Sequence, residues 1–304
     1  MEQAMTVLAQ VLIIFLLIAI GAFCTKKGIL DDRTSKKFSD LVINIINPAV
    51  IFMSFQVEYT SERLQGLLLT VLMAFAVFAI SIPLSFLLIH GKDKGRVVTE
   101  RMAFTFSNCG FMGIPLIASI FGQEGVFYVS AVIAVFNIVV WTYGEMMVAG
   151  SFSFSGFLTV LKSPNIIAIA AGLIFFIFRI KIPYIPAETL EHLSNMNTPM
   201  AMLVTGIAVA SADLKKTFIS PRIWLVSLTK LLLVPLIAAV LLRLVNAPYM
   251  VYQIVVLTAA GCPTASITTL LAVKYNHNPV YASELVTATT LLSVATLPLI
   301  ALVL

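Results

Sequence analysis

The chain has 304 residues, 60% of them hydrophobic and only 11% charged, with a net charge of +5 and a mean hydropathy of +1.03. That balance lies well outside the range of soluble globular domains and leaves an integral membrane protein. Cys24, Cys109 and Cys262 lie within or at the edge of apolar runs without CxxC spacing. They read as packing thiols, so neither a disulfide framework nor a zinc site is expected.

In chain order the apolar runs are Met5 to Cys24, Lys37 to Phe55, Leu64 to His90, Val97 to Phe121 and Gly125 to Val148, then Pro164 to Phe178, Leu190 to Ala210, Pro221 to Val245, Met250 to Val273 and Pro279 to Leu304. Most are long enough for a transmembrane helix, which needs about 20 apolar residues, and the loops are too short for a soluble domain. The expected fold is an all-α polytopic membrane protein with ten transmembrane helices in one membrane domain. Only Glu2 precedes the first run and the lysines follow it, the reverse of a secretory leader, so a retained first helix is expected.

Lysine and arginine divide unevenly between alternate loops. One set, around residues 26–37, 92–101, 162, 215–222 and 274, holds fourteen, and the other set holds four. Positive charge stays on the cytoplasmic side, so the expected placement is a bacterial inner (plasma) membrane with both termini outside the cytoplasm. The net positive charge is then accounted for, and no nucleic-acid partner is expected.

The fourth and ninth runs are interrupted by Gly113-Ile114-Pro115 and Gly261-Cys262-Pro263. Pro48, Pro83 and Pro115 find partners in Pro199, Pro235 and Pro263 at separations of 151, 152 and 148 residues. This pattern reads as a duplication, with residues 1–150 forming a first five-helix repeat and 160–304 a second. Because five is odd, the second repeat enters the membrane from the opposite face, an inverted repeat of the kind found in secondary transporters. Non-helical backbone at membrane depth survives only where protein packs round it or where it lines a cavity. The two breaks are therefore the expected site.

A helix restarting after Pro115, and another after Pro263, would present free N–H groups and a positive dipole end near mid-bilayer, which favours an anion. Half-helix C-termini could instead offer carbonyls to a cation. Asn108 can contact a carboxylate or hydroxyl through its amide, or satisfy a carbonyl freed by the kink. Gly113, Cys262 and Thr264 line the breaks and allow close approach. Asn47, just before Pro48, and Thr198, just before Pro199, add polar groups at further irregularities, either as lining or as local repair. Ionisable residues inside spans are functional candidates because their burial is costly. Lys230 lies deepest and is a candidate fixed charge for an anion or partner for a carboxylate. Asp40, Glu145 and Glu284 stand nearer the cytoplasmic ends, as coupling sites or as solvated interfacial groups. No His–carboxylate cluster, nucleophile–base pair or phosphate-binding glycine loop occurs, so no enzyme, metal or cofactor is expected.

The run Asn108-Cys109-Gly110-Phe111-Met112-Gly113-Ile114-Pro115-Leu116 resembles the Asn-x-x-x-x-Gly-x-Pro-Leu signature of the auxin efflux carrier family, which includes the plant PIN-FORMED auxin exporters and bacterial carriers. Pro263, Ala272, Lys274-Tyr275-Asn276 and Pro279 resemble the family's ninth helix. The resemblance implies a scaffold domain and a transport domain whose fourth and ninth helices cross at their prolines, with the substrate beside the crossing. Asn108, Pro115 and Pro263 match its crossover motif, and Asn47 takes a pocket-lining position. The short Gly150 to Ser163 loop resembles the bacterial branch. The expected function is a secondary transporter of a small organic anion, a carboxylate such as a dicarboxylate or an auxin-like acid, moving by an elevator-like mechanism. A membrane receptor binding a similar ligand is the alternative. The partners expected are that anion and the lipid bilayer. A homodimer stays open, because lipid-facing and partner-facing apolar surfaces look alike.

Overall fold

A computed structural model of the chain describes residues 2–150, 161–244 and 251–302. Most of the expected linker between the halves, and the Met250 entry to the ninth span, lie outside the described residues. Regular structure among the described residues is helical apart from one isolated β-bridge.

Helix α1 spans Glu2–Lys26. Helix α2, Asp32–Leu41, runs through a π-turn at Val42–Ile46 into α3, Asn47–Ser54. Asp31 caps α2 by accepting from the Thr34 backbone N–H at 2.7 Å and from its hydroxyl at 2.6 Å. These bonds hold the Asp31 carboxyl below its usual range, so the cap is kept above that range and loosens as pH falls through the lowered value. Helix α4 is Ser61–Leu88 and α5 is Lys94–Thr105. After a break, a π-turn at Cys109–Gly113 opens α6, Ile114–Val139, and a second π-turn at Val140–Gly144 leads into α7, Glu145–Ala149.

Next come α8, Pro164–Ile177, and α9, Tyr184–Asn195. Then follow α10, Asn197–Ser211, and the short α11, Leu214–Ile219. Helix α12, Pro221–Leu228, passes through a π-turn at Thr229–Leu233 into α13, Val234–Leu244. Helices α14, Val251–Gly261, and α15, Ile267–Lys274, flank the second break, and α16 is Pro279–Leu302.

Among the described residues six helical stretches are long and apolar enough to cross a membrane: Leu8–Lys26, Arg33–Ser54, Ser61–Leu88, Cys109–Ala149, Pro221–Arg243 and Pro279–Ile300. The Cys109–Ala149 stretch is 41 residues long and turns at Gly122, whose φ of 58° suits glycine. It therefore holds the second part of the fourth expected span and the whole of the fifth, the first part of the fourth lying in α5. The expected seventh span is split at Met196. Pro199 has no N–H to give the carbonyl of residue 195, and the helix stops and restarts there.

Proline has a recurring setting. Pro48, Pro115 and Pro235 each stand two residues beyond a π-turn, at Val42–Ile46, Cys109–Gly113 and Thr229–Leu233. The wider turn accommodates the missing donor without ending the helix, and such turns gather at functional sites.

Helix α1 packs along α10, where Gly21 and Gly206 bring the backbones together. A methyl group on Gly206 would collide with the carbonyl oxygen of Ile18. Helices α4, α6 and α14 pack around Phe78, Phe106, Phe127 and Val256 in the same core, and the two breaks lie inside it.

Candidate functional site at the helix crossing

The chain leaves α5 at Thr105 and crosses the interruption between α14 and α15 as a two-residue antiparallel bridge, Ser107 opposite Thr264. Asn108 N–H donates to the Pro263 carbonyl at 2.7 Å and Ala265 N–H to the Phe106 carbonyl at 2.9 Å. Each broken helix thus supplies the hydrogen bonds that the other lacks. In a membrane interior this pairing replaces water.

The break differs from its expected position. In the first copy the helix opens at Phe106–Asn108 and has restarted by Cys109, so Pro115 lies in the first turns of the restarted helix. Proline's fixed φ and missing donor suit that place. Pro263, by contrast, sits within the second break itself.

The amide groups at the restarts are also less free than expected. The Asn108 side-chain oxygen accepts from Phe111 N–H at 3.2 Å, an N-cap. Thr264 N–H donates to the Thr289 hydroxyl at 3.1 Å, while the Thr264 hydroxyl donates to the Ala103 carbonyl at 2.9 Å. Buried donors find protein partners, so Thr264 ties segments together. Gly113 gives room for the crossing: a methyl group there would stand 3.3 Å from Cys109 Cβ and 3.6 Å from Cys262 Sγ. Cys109 and Cys262 are free thiols, both buried.

Lys230 reaches this crossing from the π-turn at Thr229–Leu233. Its side chain is fully buried, and Nζ donates to Ser107 Oγ at 2.5 Å; that hydroxyl donates onward to the Ala260 carbonyl at 3.1 Å. None of the ion pairs among the described residues includes Lys230. The amine stands at the C-terminal, negative ends of α5 and α14, where positive charge is favoured. Beside it a pocket of about 30 Å³ is lined by Thr105, Ser107, Cys109, Phe78, Phe136 and Val234 among others. That is room for roughly one water.

Asn47 is brought to the same region from helix α3. Its side-chain oxygen accepts from Asn197 Nδ2 at 2.5 Å, and its own Nδ2 faces Gly110, where an added methyl group would lie 3.8 Å away. Sequence reasoning paired Asn47 with Thr198 and missed Asn197, although a shift of 150 residues leads from one asparagine to the other.

The carboxylates lie elsewhere. Asp40 is exposed on α2 and Glu284 half-buried on α16. Glu145, expected as an interfacial group, is 5% exposed. It accepts from Lys274 Nζ at 2.5 Å and from the Tyr275 hydroxyl at 2.7 Å, which fastens α7 to the end of α15. A second cluster escaped the sequence reading. Glu100, fully buried, takes a two-pronged contact from Arg222 at 2.6 to 3.0 Å and a hydrogen bond from the Tyr281 hydroxyl at 2.8 Å. It joins α5, α12 and α16. A carboxylate inside the expected fourth span was the available signal.

A family model described as membrane transport protein matches residues 6–155 and, a second time, residues 151–301. The chain belongs to this family, the auxin efflux carriers. Two archaeal members of it resemble the chain over most of their lengths. An uncharacterized transporter of Methanocaldococcus jannaschii is 26% identical over 281 residues, 87% of this chain and 88% of the relative. An uncharacterized transporter of Methanothermobacter thermautotrophicus is 25% identical over 302 residues, 97% of each. With the apolar helices described above, this carrier is a multi-pass membrane protein of transmembrane transport.

Proposed function

We propose that this auxin efflux carrier family member is a secondary transporter of a small organic anion, with the substrate held at the crossing of the fourth and ninth helices. The single observation that carries this reading is Lys230, a fully buried lysine amine bonded to a hydroxyl and in no ion pair among the described residues, placed on the crossing itself. A buried charge is costly unless paired, and a carboxylate arriving beside Ser107 and Cys109 supplies the missing partner. Lys230 already fills the negative helix ends, which disfavours a cation there. A pocket with room for about one water favours a mechanism in which helices rearrange to admit the anion, the elevator-like motion of the resemblance. The two family-model matches favour ten spans in two inverted repeats, residues 1–150 and 160–304, and the loop charges favour both termini outside the cytoplasm of a bacterial inner membrane.

Asn108, Asn47, Pro115, Pro263, Gly113 and Cys262 shape the site, while Asp40, Glu145 and Glu284 lie away from the crossing's charge. Uptake of radiolabelled mono- and dicarboxylates by purified protein in liposomes tests the reading. Wild-type protein takes up at least one carboxylate, and Lys230→Met loses that uptake while inserting normally. Undiminished uptake in Lys230→Met would remove the lysine from the site. Binding without uptake would favour the receptor reading.

A further inference from the structure

The Asn47–Asn197 pair holds an unfilled hydrogen-bonding position. Asn197 is 3% exposed and Asn47 2% exposed. Asn197 uses its amide N–H on Asn47, and its Oδ1 is buried with no hydrogen-bond partner among the described residues. A tie between two helices would be complete with both amides satisfied. This one leaves an acceptor over, and a buried acceptor without a donor marks a missing partner.

The placement gives that oxygen a neighbourhood. Asn47 opens α3 directly after its π-turn, and Asn197 opens α10 directly after the interruption at Met196. Asn47 Nδ2 faces Gly110, and α10 packs against the Cys109–Gly113 turn, the restart of the broken helix. The amide pair thus borders the crossing from the α3 and α10 side, whereas Lys230 approaches it from α12 and α13. A group entering between α10 and that turn meets a neutral acceptor.

We propose that Asn197 is a substrate-selecting residue whose Oδ1 accepts a hydrogen bond from a hydroxyl of the transported anion. The carrier then prefers carboxylates that also bear a hydroxyl over the same acids without one. A carboxylate oxygen cannot serve this position, since it brings lone pairs and no proton. A site built to bond a substrate hydroxyl rejects the analogue lacking it, because the protein's own polar group is then left unpaired. This inference rests on the anion-carrier reading and adds to it the second group by which a substrate is told apart.

Two matched pairs of probes test it, lactate against propionate and tartrate against succinate, each pair differing in hydroxyl groups while keeping its carboxylates. Uptake into proteoliposomes is corrected for protein-free vesicles. Wild-type protein favours the hydroxylated member of at least one pair by about tenfold or more. Asn197→Leu reduces that preference to about twofold or less. The double variant Asn47→Leu/Asn197→Leu replaces both amides with apolar groups and so leaves no orphan; it keeps the wild-type melting temperature and also loses the preference. Equal wild-type uptake within both pairs, or a wild-type ratio in the double variant, overturns the inference and leaves the anion carrier standing. No uptake of any of the four probes overturns this inference, and the carrier reading falls with it only if the wider carboxylate panel is also not taken up.

Discussion

At the crossing Lys230 is the proposed source of charge and Asn108 caps the restarted helix, and substitutions separate the two roles. Asn108→Ala removes the cap on the restarted helix, which costs about 1 kcal/mol, and is expected to abolish flux while the protein still inserts. Asn108→Ser keeps an oxygen for the Phe111 N–H and is expected to recover the melting temperature without recovering flux. Wild-type flux in Asn108→Ala would take the residue out of the site. Both roles of Asn108 were open in the sequence, ligand contact or local repair, because a polar residue near a proline reads the same either way. The cap is seen only once the break is located at residues 106–108. Lys230 was visible as the deepest charge, but its partner Ser107 lies 123 residues away and no local pattern connects them.

Single helices show how much of the break was legible. The glycine-x-proline tripeptides mark two of the interrupted helices, because proline removes a donor that a continuous helix needs, and miss the interruption at Met196. Pro263 lies in its break, but Pro115 does not, since a π-turn can absorb a proline and the bridge Ser107–Thr264 depends on the other segment being present. Packing between elements makes two further predictions. Gly206→Val would force a side chain into the α1 backbone at Ile18, and overpacking of this kind costs about 1–3 kcal/mol or more. Thermal unfolding in detergent should show a clear drop, and an unchanged midpoint would contradict the close approach of α1 and α10. Glu100→Gln removes the charge that Arg222 forks onto, a loss on the order of 3 kcal/mol, smaller to the degree that Arg222 reaches solvent. Loss of stability without change in substrate preference would place Glu100 as the tie between α5, α12 and α16.

For the whole molecule, composition alone announced the membrane, and proline spacing suggested two halves. The family model matches the chain twice, over 6–155 and 151–301. What spacing could not supply was the contact between corresponding residues. Asn47 and Asn197 meet directly, and the two breaks pair strand to strand, so related positions converge on one place. Convergence of this kind suits a site exposed alternately to each side of the membrane. A carrier requires that alternation and a receptor does not.

Gly110 offers the most direct test, because it borders the crossing and, among the described residues, a methyl group added there meets only Asn47 Nδ2 within 4 Å. Gly110→Cys, placed in a background with Cys24, Cys109 and Cys262 changed to serine, can be treated with a membrane-impermeant maleimide in right-side-out and in inside-out vesicles. Alternating access predicts labelling from both faces, slowed from both by a transported carboxylate. Labelling from one face alone, whatever the substrate concentration, would contradict it.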